Sequence, residues 1–270
     1  ASRDFEAGRI LKESGASRSA SLNRILGELL GGTRSSPPEA PSRRMDRAAK
    51  KEERKMLKAI IFDLDGVICS TDEYHYLAWK KMADALGVPF DREINNRLRG
   101  VSRMDSLNII LEKYTGEPLS DERKQQLAAM KNDAYRALLA NMGPKDLTPE
   151  VRTTLDALRA SGLKLAIGSS SKNTPYILER IGLKDYFDAL SDGNNITRSK
   201  PDPEVFLKAA EYLGEDPEVC LVVEDAISGA QAGHAGGFRV ACVGDAAKAK
   251  AGEFNMSAFS ELREIVKGLR

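Results

Sequence analysis

The 270 residues include 41 Lys and Arg against 40 Asp and Glu, a formal net charge of +1, with 41% apolar and 30% charged residues. That balance describes a globular chain long enough for a substantial core and argues against a nucleic-acid partner. No apolar run approaches the ~20 residues of a membrane-spanning helix, so no membrane association is expected either.

Charge is unevenly spread. Residues 1–55 hold 13 Lys and Arg against 8 acids and are rich in Ser, Gly and Pro, as in "GASRSAS" and "GGTRSSPPEAPSRR". This composition predicts a disordered, basic N-terminal extension that cannot bury enough apolar surface to fold alone. Eight acids fit a transit peptide poorly, and a passive tail is the simpler expectation. Met56 stands directly before the first apolar strand and is a candidate start of the folded unit. Cys69, Cys220 and Cys242 are far apart and show no C-x-x-C spacing, which suggests neither disulfides nor a thiolate metal site and suits a cytoplasmic location.

From residue 57 the chain alternates short apolar runs with amphipathic stretches. Strands are expected at 57–62, 163–168, 186–191, 219–224 and 238–244, and helices near 149–161, 173–181, 203–213 and 226–236. Asp202 followed by Pro203 predicts an N-cap with proline at the first helical position. The segment 71–141 carries helical patterns alone. The expected fold is therefore α/β, a Rossmann-like parallel-sheet core (56–70 and 142–270) with an inserted helical cap domain (71–141).

In such sheets ligands bind beyond the carboxyl ends of the strands. Asp63 and Asp65 follow the first strand, Ser169 the second, and Glu224 and Asp225 close the fourth, with Lys200 ahead of a helix. Four acids and a lysine in one crevice make chemical sense if a divalent cation and a phosphoryl group share it. Mg²⁺ takes oxygen ligands, and a cation with Lys200 would offset the repulsion between a phosphate and an attacking carboxylate.

The stretches "DLDGV" (63–67), "GSSSKN" (168–173), "SKPDP" (199–203) and "VVEDAISG" (222–229) resemble, in order, the four motifs of the haloacid dehalogenase superfamily of aspartyl-phosphate enzymes. The resemblance implies Asp63 as the phosphorylated nucleophile, Asp65 as general acid and base, and Ser169 and Lys200 as phosphoryl stabilisers. It also implies Mg²⁺ held by Asp63, Asp65, Glu224 and Asp225.

Three further stretches, "TDEYHYLAWKKMA" (71–83), "LRGVSRMDSL" (98–107) and "MKNDAY" (130–135), resemble the cap of the β-phosphoglucomutase family, which interconverts β-glucose 1-phosphate and glucose 6-phosphate. That likeness implies sugar-phosphate substrates and a monomeric enzyme. It implies that Arg103 grips the phosphate not being transferred, with Gly100, Val101, Ser102 and Ser106 near the sugar. Ser171, Lys172 and Asn173 would meet the same phosphate from the core, His75 with Lys131 would belong to the closing machinery around Asp65, and Thr71 and Trp79 would join the substrate-binding residues. Arg99 stands where the family pattern has lysine, which keeps the charge but changes the hydrogen-bond geometry. His75 and Trp79 also read as ordinary packing residues of an apolar-rich helix.

A phosphatase acting on a small sugar phosphate shares every core residue and is the alternative. A catalytically silent binding protein is disfavoured by the complete set Asp63, Asp65, Lys200 and Asp225. No G-x-x-x-x-G-K-[ST] loop supports P-loop chemistry.

Overall fold

A computed structural model of the chain describes residues 56–270; the extension expected at 1–55 lies outside the described residues. Strand β1 (Ala59–Phe62) sits at the centre of a six-stranded sheet in the order β3-β2-β1-β4-β5-β6. The other strands are β2 (Lys164–Gly168), β3 (Ala189–Ser191), β4 (Cys220–Glu224), β5 (Arg239–Cys242) and β6 (Phe254–Asn255). Every pairing is parallel, and Ile60 lies level with Leu165 on one side and Leu221 on the other.

Central parallel strands bury both faces, which is why "AIIF" is apolar throughout rather than alternating. Ile60, Phe62, Leu165 and Val223 face one layer, which contains helices α5 (Pro149–Ala160), α6 (Thr174–Arg180) and α10 (Leu262–Gly268). Ala59, Ile61, Ala166 and Val222 face the opposite layer, formed by α7 (Glu204–Leu213), α8 (Ile227–Ala235) and α9 (Gly244–Lys248). Each fully buried Ile, Leu or Phe contributes about 1.5–3 kcal/mol, so the two faces together anchor the sheet.

Between β1 and α5 the chain forms helices α1 (Asp72–Ala85), α2 (Arg92–Asn96), α3 (Arg103–Leu111) and α4 (Asp121–Leu139), followed by a short 3₁₀ turn. They share a core of their own in which Trp79, Met82, Phe90, Leu107, Ile110 and Leu127 interlock. Serine caps set two of the starts. Ser102 Oγ accepts from the Asp105 amide at 3.1 Å, and Ser120 Oγ from the Arg123 amide at 3.2 Å.

Three details depart from the sequence expectations. The run 186–191 forms a strand only over Ala189–Ser191, because Asp188 Oδ2 takes the Leu165 amide at 2.7 Å and ends the ladder there. The two-residue β6 was not expected, since "EFN" has no apolar run; it exists by pairing Phe254 with Ala241. At Asp202–Pro203 the helix begins one residue later, at Glu204, while the Asp202 carboxylate still accepts the Glu204 amide at 3.0 Å. Among the described residues no helix is long and apolar enough to cross a membrane.

Candidate active site

The ends of β1 and β4 and the segment after β3 bring the charged groups to one rim. Lys200 Nζ lies 2.5 Å from both Asp63 Oδ1 and Glu224 Oε1, and all three side chains are buried. The second Asp63 oxygen accepts the Asp65 amide at 2.9 Å, and Glu224 Oε2 accepts the amides of Asp225 and Ala226 at 2.8 and 2.9 Å. These bonds hold the carboxylates in fixed orientations. Gly66, at φ +81°, passes so close to Asp225 that a Cβ would fall 2.1 Å from its Oδ2, so only glycine fits this turn.

Carboxylate oxygens of Asp63, Glu224 and Asp225 lie within 4.8 Å of one another. Burial, opposed by Lys200 and reinforced by Glu224, pushes the Asp63 pKa up to about 7. Burial and the neighbouring acids push Asp225 up to about 8, against the pull of Arg99. Three oxygen donors carrying more negative charge than Lys200 offsets form a set able to hold a hard divalent cation. Asp65 is also among the expected metal residues, and its carboxylate is engaged by Thr71 and His75.

Asp65 Oδ1 accepts the Thr71 amide at 2.8 Å, and Oδ2 accepts the Thr71 hydroxyl. His75 Nε2 stands 3.5 Å from the same Oδ2. Burial works to raise the Asp65 pKa, but the hydrogen bonds from His75 and Thr71 outweigh it and hold the group below its ordinary value. Lys131 Nζ is 2.9 Å from His75 Nδ1 and 4.6 Å from the centre of the Trp79 ring. Burial, with the charge of Arg103 adding to it, pushes Lys131 down to about 7.

A cavity of about 850 Å³ separates this rim from the helical insert. Its wall takes in Asp63, Asp65, Ser169, Lys200, Glu224 and Asp225 from the sheet side. From the insert come His75, Trp79, Arg99, Gly100, Val101, Ser102, Arg103, Ser106 and Lys131, and the loop after β2 adds Ser171, Lys172 and Asn173. Trp79 is mostly committed to the core of the insert, at 2% exposure. Thr71 alone of the expected residues is absent from the wall; it is fully buried beneath Asp65 and acts on the cavity through that carboxylate.

Arg99 reaches from the insert to the sheet layer. Its Nη2 is 2.7 Å from Asp72 Oδ2, and its Nη1 is 3.1 Å from Asp245 Oδ2 and 3.8 Å from Asp225 Oδ2. Arg103, at the first position of α3, is half-buried and makes no hydrogen bond or ion pair among the described residues. Sequence reasoning missed Tyr135, whose hydroxyl donates to Thr71 Oγ1 at 2.9 Å, and Asn132, which lines the cavity one helical position after Lys131. It also missed Asp72 and Asp245 as partners of Arg99. The signal for Tyr135 was its spacing of four from Lys131, which puts both on one face of α4.

A doubly wound sheet with charged loops at the carboxyl ends of its strands, roofed by inserted helices, is the architecture of an α/β enzyme with a covered site. The sequence profile of the haloacid dehalogenase-like hydrolases matches residues 57–237. The chain belongs to that family. It is 42% identical over 194 residues to the β-phosphoglucomutase of Bacillus subtilis, covering 70% of this chain and 84% of the relative. It is 30% identical over 184 residues to a phosphorylated carbohydrates phosphatase of Thermotoga maritima, covering 67% and 82%. The crystal structure of β-phosphoglucomutase from Clostridium difficile superposes with a TM-score of 0.74 at 33% identity, covering 79% of this chain and 98% of the other.

Proposed function

We propose that the protein is a Mg²⁺-dependent phosphoglucomutase that interconverts β-glucose 1-phosphate and glucose 6-phosphate through β-glucose 1,6-bisphosphate. The observation that carries this reading is Arg103, a guanidinium without an ionic partner among the described residues, in the wall of the cavity that also holds Asp63. A bisphosphate needs a second anion site while its other phosphate reacts, and arginine's planar fork suits that task. The β-phosphoglucomutases among its relatives support the same reading.

In this mechanism an Asp63 carboxylate oxygen attacks phosphorus, and the bond from phosphorus to the sugar oxygen breaks. Asp65, which starts ionised, takes a proton from the hydroxyl that attacks the aspartyl phosphate, and returns it to the leaving sugar oxygen when the bisphosphate rephosphorylates Asp63. Ser169 and Lys200 hold the transferring oxygens, and Lys200 also keeps Asp63 oriented. Asp63, Glu224 and Asp225 would hold Mg²⁺, with the Asp65 main-chain carbonyl as a candidate fourth donor; when bound, the ion offsets charge on the phosphoryl oxygens. The insert at 71–141 acts as the cap, and its closure excludes water that would otherwise hydrolyse the aspartyl phosphate. A cytoplasmic monomer is the working form.

The alternative, a sugar-phosphate phosphatase, draws on the Thermotoga maritima relative and uses the same core residues. Incubating the protein with Mg²⁺, β-glucose 1-phosphate and a trace of the bisphosphate, while following glucose 6-phosphate and free phosphate together, separates the two. Isomer without matching free phosphate is expected. Stoichiometric free phosphate with little isomer would favour the phosphatase.

A further inference from the structure

The sheet layer and the insert meet at three polar side chains that neither the motifs nor the mechanism assigns together. Arg136 Nη1 donates to Asn173 Oδ1 at 3.1 Å, and Asn173 Nδ2 donates to Asn132 Oδ1 at 2.9 Å. Asn132 and Arg136 are four residues apart on α4, on one face, whereas Asn173 stands directly before α6, its side chain making no capping bond to that helix. The Arg136 guanidinium also lies 4.7 Å from the centre of the Tyr176 ring, a second contact with α6. Asn132 and Asn173 both line the cavity, and Asn173 is 5% exposed.

A carboxamide has a donor end and an acceptor end, and its orientation depends on its neighbours. A guanidinium has donors only. Arg136 therefore requires the oxygen of Asn173 on its side, which turns the Asn173 NH₂ toward Asn132. Asn132 must answer with its own oxygen, and its NH₂ is the end left for a ligand. Flipping either amide would set two donors or two acceptors face to face in a half-buried place.

We propose that Arg136 is a positioning residue that polarises this relay, so that Asn132 presents an NH₂ donor to a hydrogen-bond acceptor on the ligand, a phosphate or sugar oxygen. The relay spans both layers, so the donor is aimed only while the insert rests on the sheet. The proposal rests on the reading of the cavity as a sugar-phosphate site.

The test uses Arg136→Met, which keeps the aliphatic stem, Arg136→Lys, which keeps a donor-only head, and Asn132→Asp, which replaces the NH₂ by an acceptor. With β-glucose 1-phosphate, Arg136→Met should raise KM about threefold to tenfold, the range of one lost hydrogen bond, with kcat within about twofold of wild type. Arg136→Lys should recover most of that loss, and Asn132→Asp should raise KM at least as far as Arg136→Met. Side-chain ¹⁵NH₂ signals give a readout independent of turnover. The Asn132 signal should shift when β-glucose 1-phosphate is added to wild type, and this response should shrink in Arg136→Met. An unchanged KM in Arg136→Met, or an Asn132 amide that does not respond in wild type, overturns the relay. An Asn132 response in a protein that binds the sugar phosphate without isomerising it supports the relay and overturns the mutase reading instead.

Discussion

Lys131, in its charged form, sets the tautomer of His75. Its Nζ lies 2.9 Å from Nδ1, and an ammonium can only donate there, which leaves the ring proton on Nε2, the nitrogen 3.5 Å from Asp65 Oδ2. A buried lysine thereby controls what the neighbouring acid meets.

The same lysine makes a pH signature. Its pKa in the folded protein is about 7, below the ordinary value of 10.5, because of burial and then the charge of Arg103. Between those values the unfolded chain binds more protons than the folded one, so stability rises with pH. The cost of burying the charged form is fully present below pH 7 and is relieved as pH climbs above it. Lys131→Met should remove this slope, which is limited to about 1.4 kcal/mol per pH unit. Thermal melts at pH 6.5, 7.5 and 8.5 should show wild type gaining on the variant as pH rises; a constant difference would contradict the assignment.

Asp63→Asn should lower turnover by at least about a thousandfold, because an amide cannot serve as the attacking group. It also relieves crowding between buried carboxylates, so the variant should melt no lower than wild type at pH 8. Normal activity in this variant would remove Asp63 from its role.

Arg103→Ala should divide two activities that share the core. Turnover of β-glucose 1-phosphate should fall by about tenfold or more, while hydrolysis of a small phosphate ester, which has no second polar end, should change little. Equal losses for both would count against a distal clamp.

Chelation with EDTA should bring phosphoryl transfer to background, and added Mg²⁺ should restore it. By calorimetry, Asp225→Asn should bind Mg²⁺ about tenfold or more weakly, since it removes one of three clustered carboxylates. Full activity in excess chelator, or an unchanged affinity in the variant, would argue against the cation site.

The fold was legible wherever one physical constraint dominates. Strands buried on both faces must be apolar, so β1, β2 and β4 stand out in the sequence, and the helix-only stretch before β2 marks the insert. The core chemistry was legible because Asp63, Ser169 and Glu224 each sit at or just beyond a strand end, with Lys200 shortly ahead of the helix that follows β3. Partnerships across long sequence distances were not. Arg99 and Asp245 are 146 residues apart, and Arg136 and Asn173 are 37 apart. Nothing in local composition distinguishes either arginine from a solvated charge. The partners of the Asp65 carboxylate, Thr71 and His75, were not legible either, since they lie six and ten residues along the chain. Strand β6 escaped notice because pairing, rather than apolar content, creates it.

The fate of the phosphoryl group tests the central claim most directly. Wild-type protein with Mg²⁺, [³²P]β-glucose 1-phosphate and a trace of unlabelled bisphosphate can be quenched within milliseconds and its products separated. Label should appear in the bisphosphate, on Asp63 and in glucose 6-phosphate, with little inorganic phosphate. Label released only as inorganic phosphate, with none in glucose 6-phosphate, would contradict the mutase assignment.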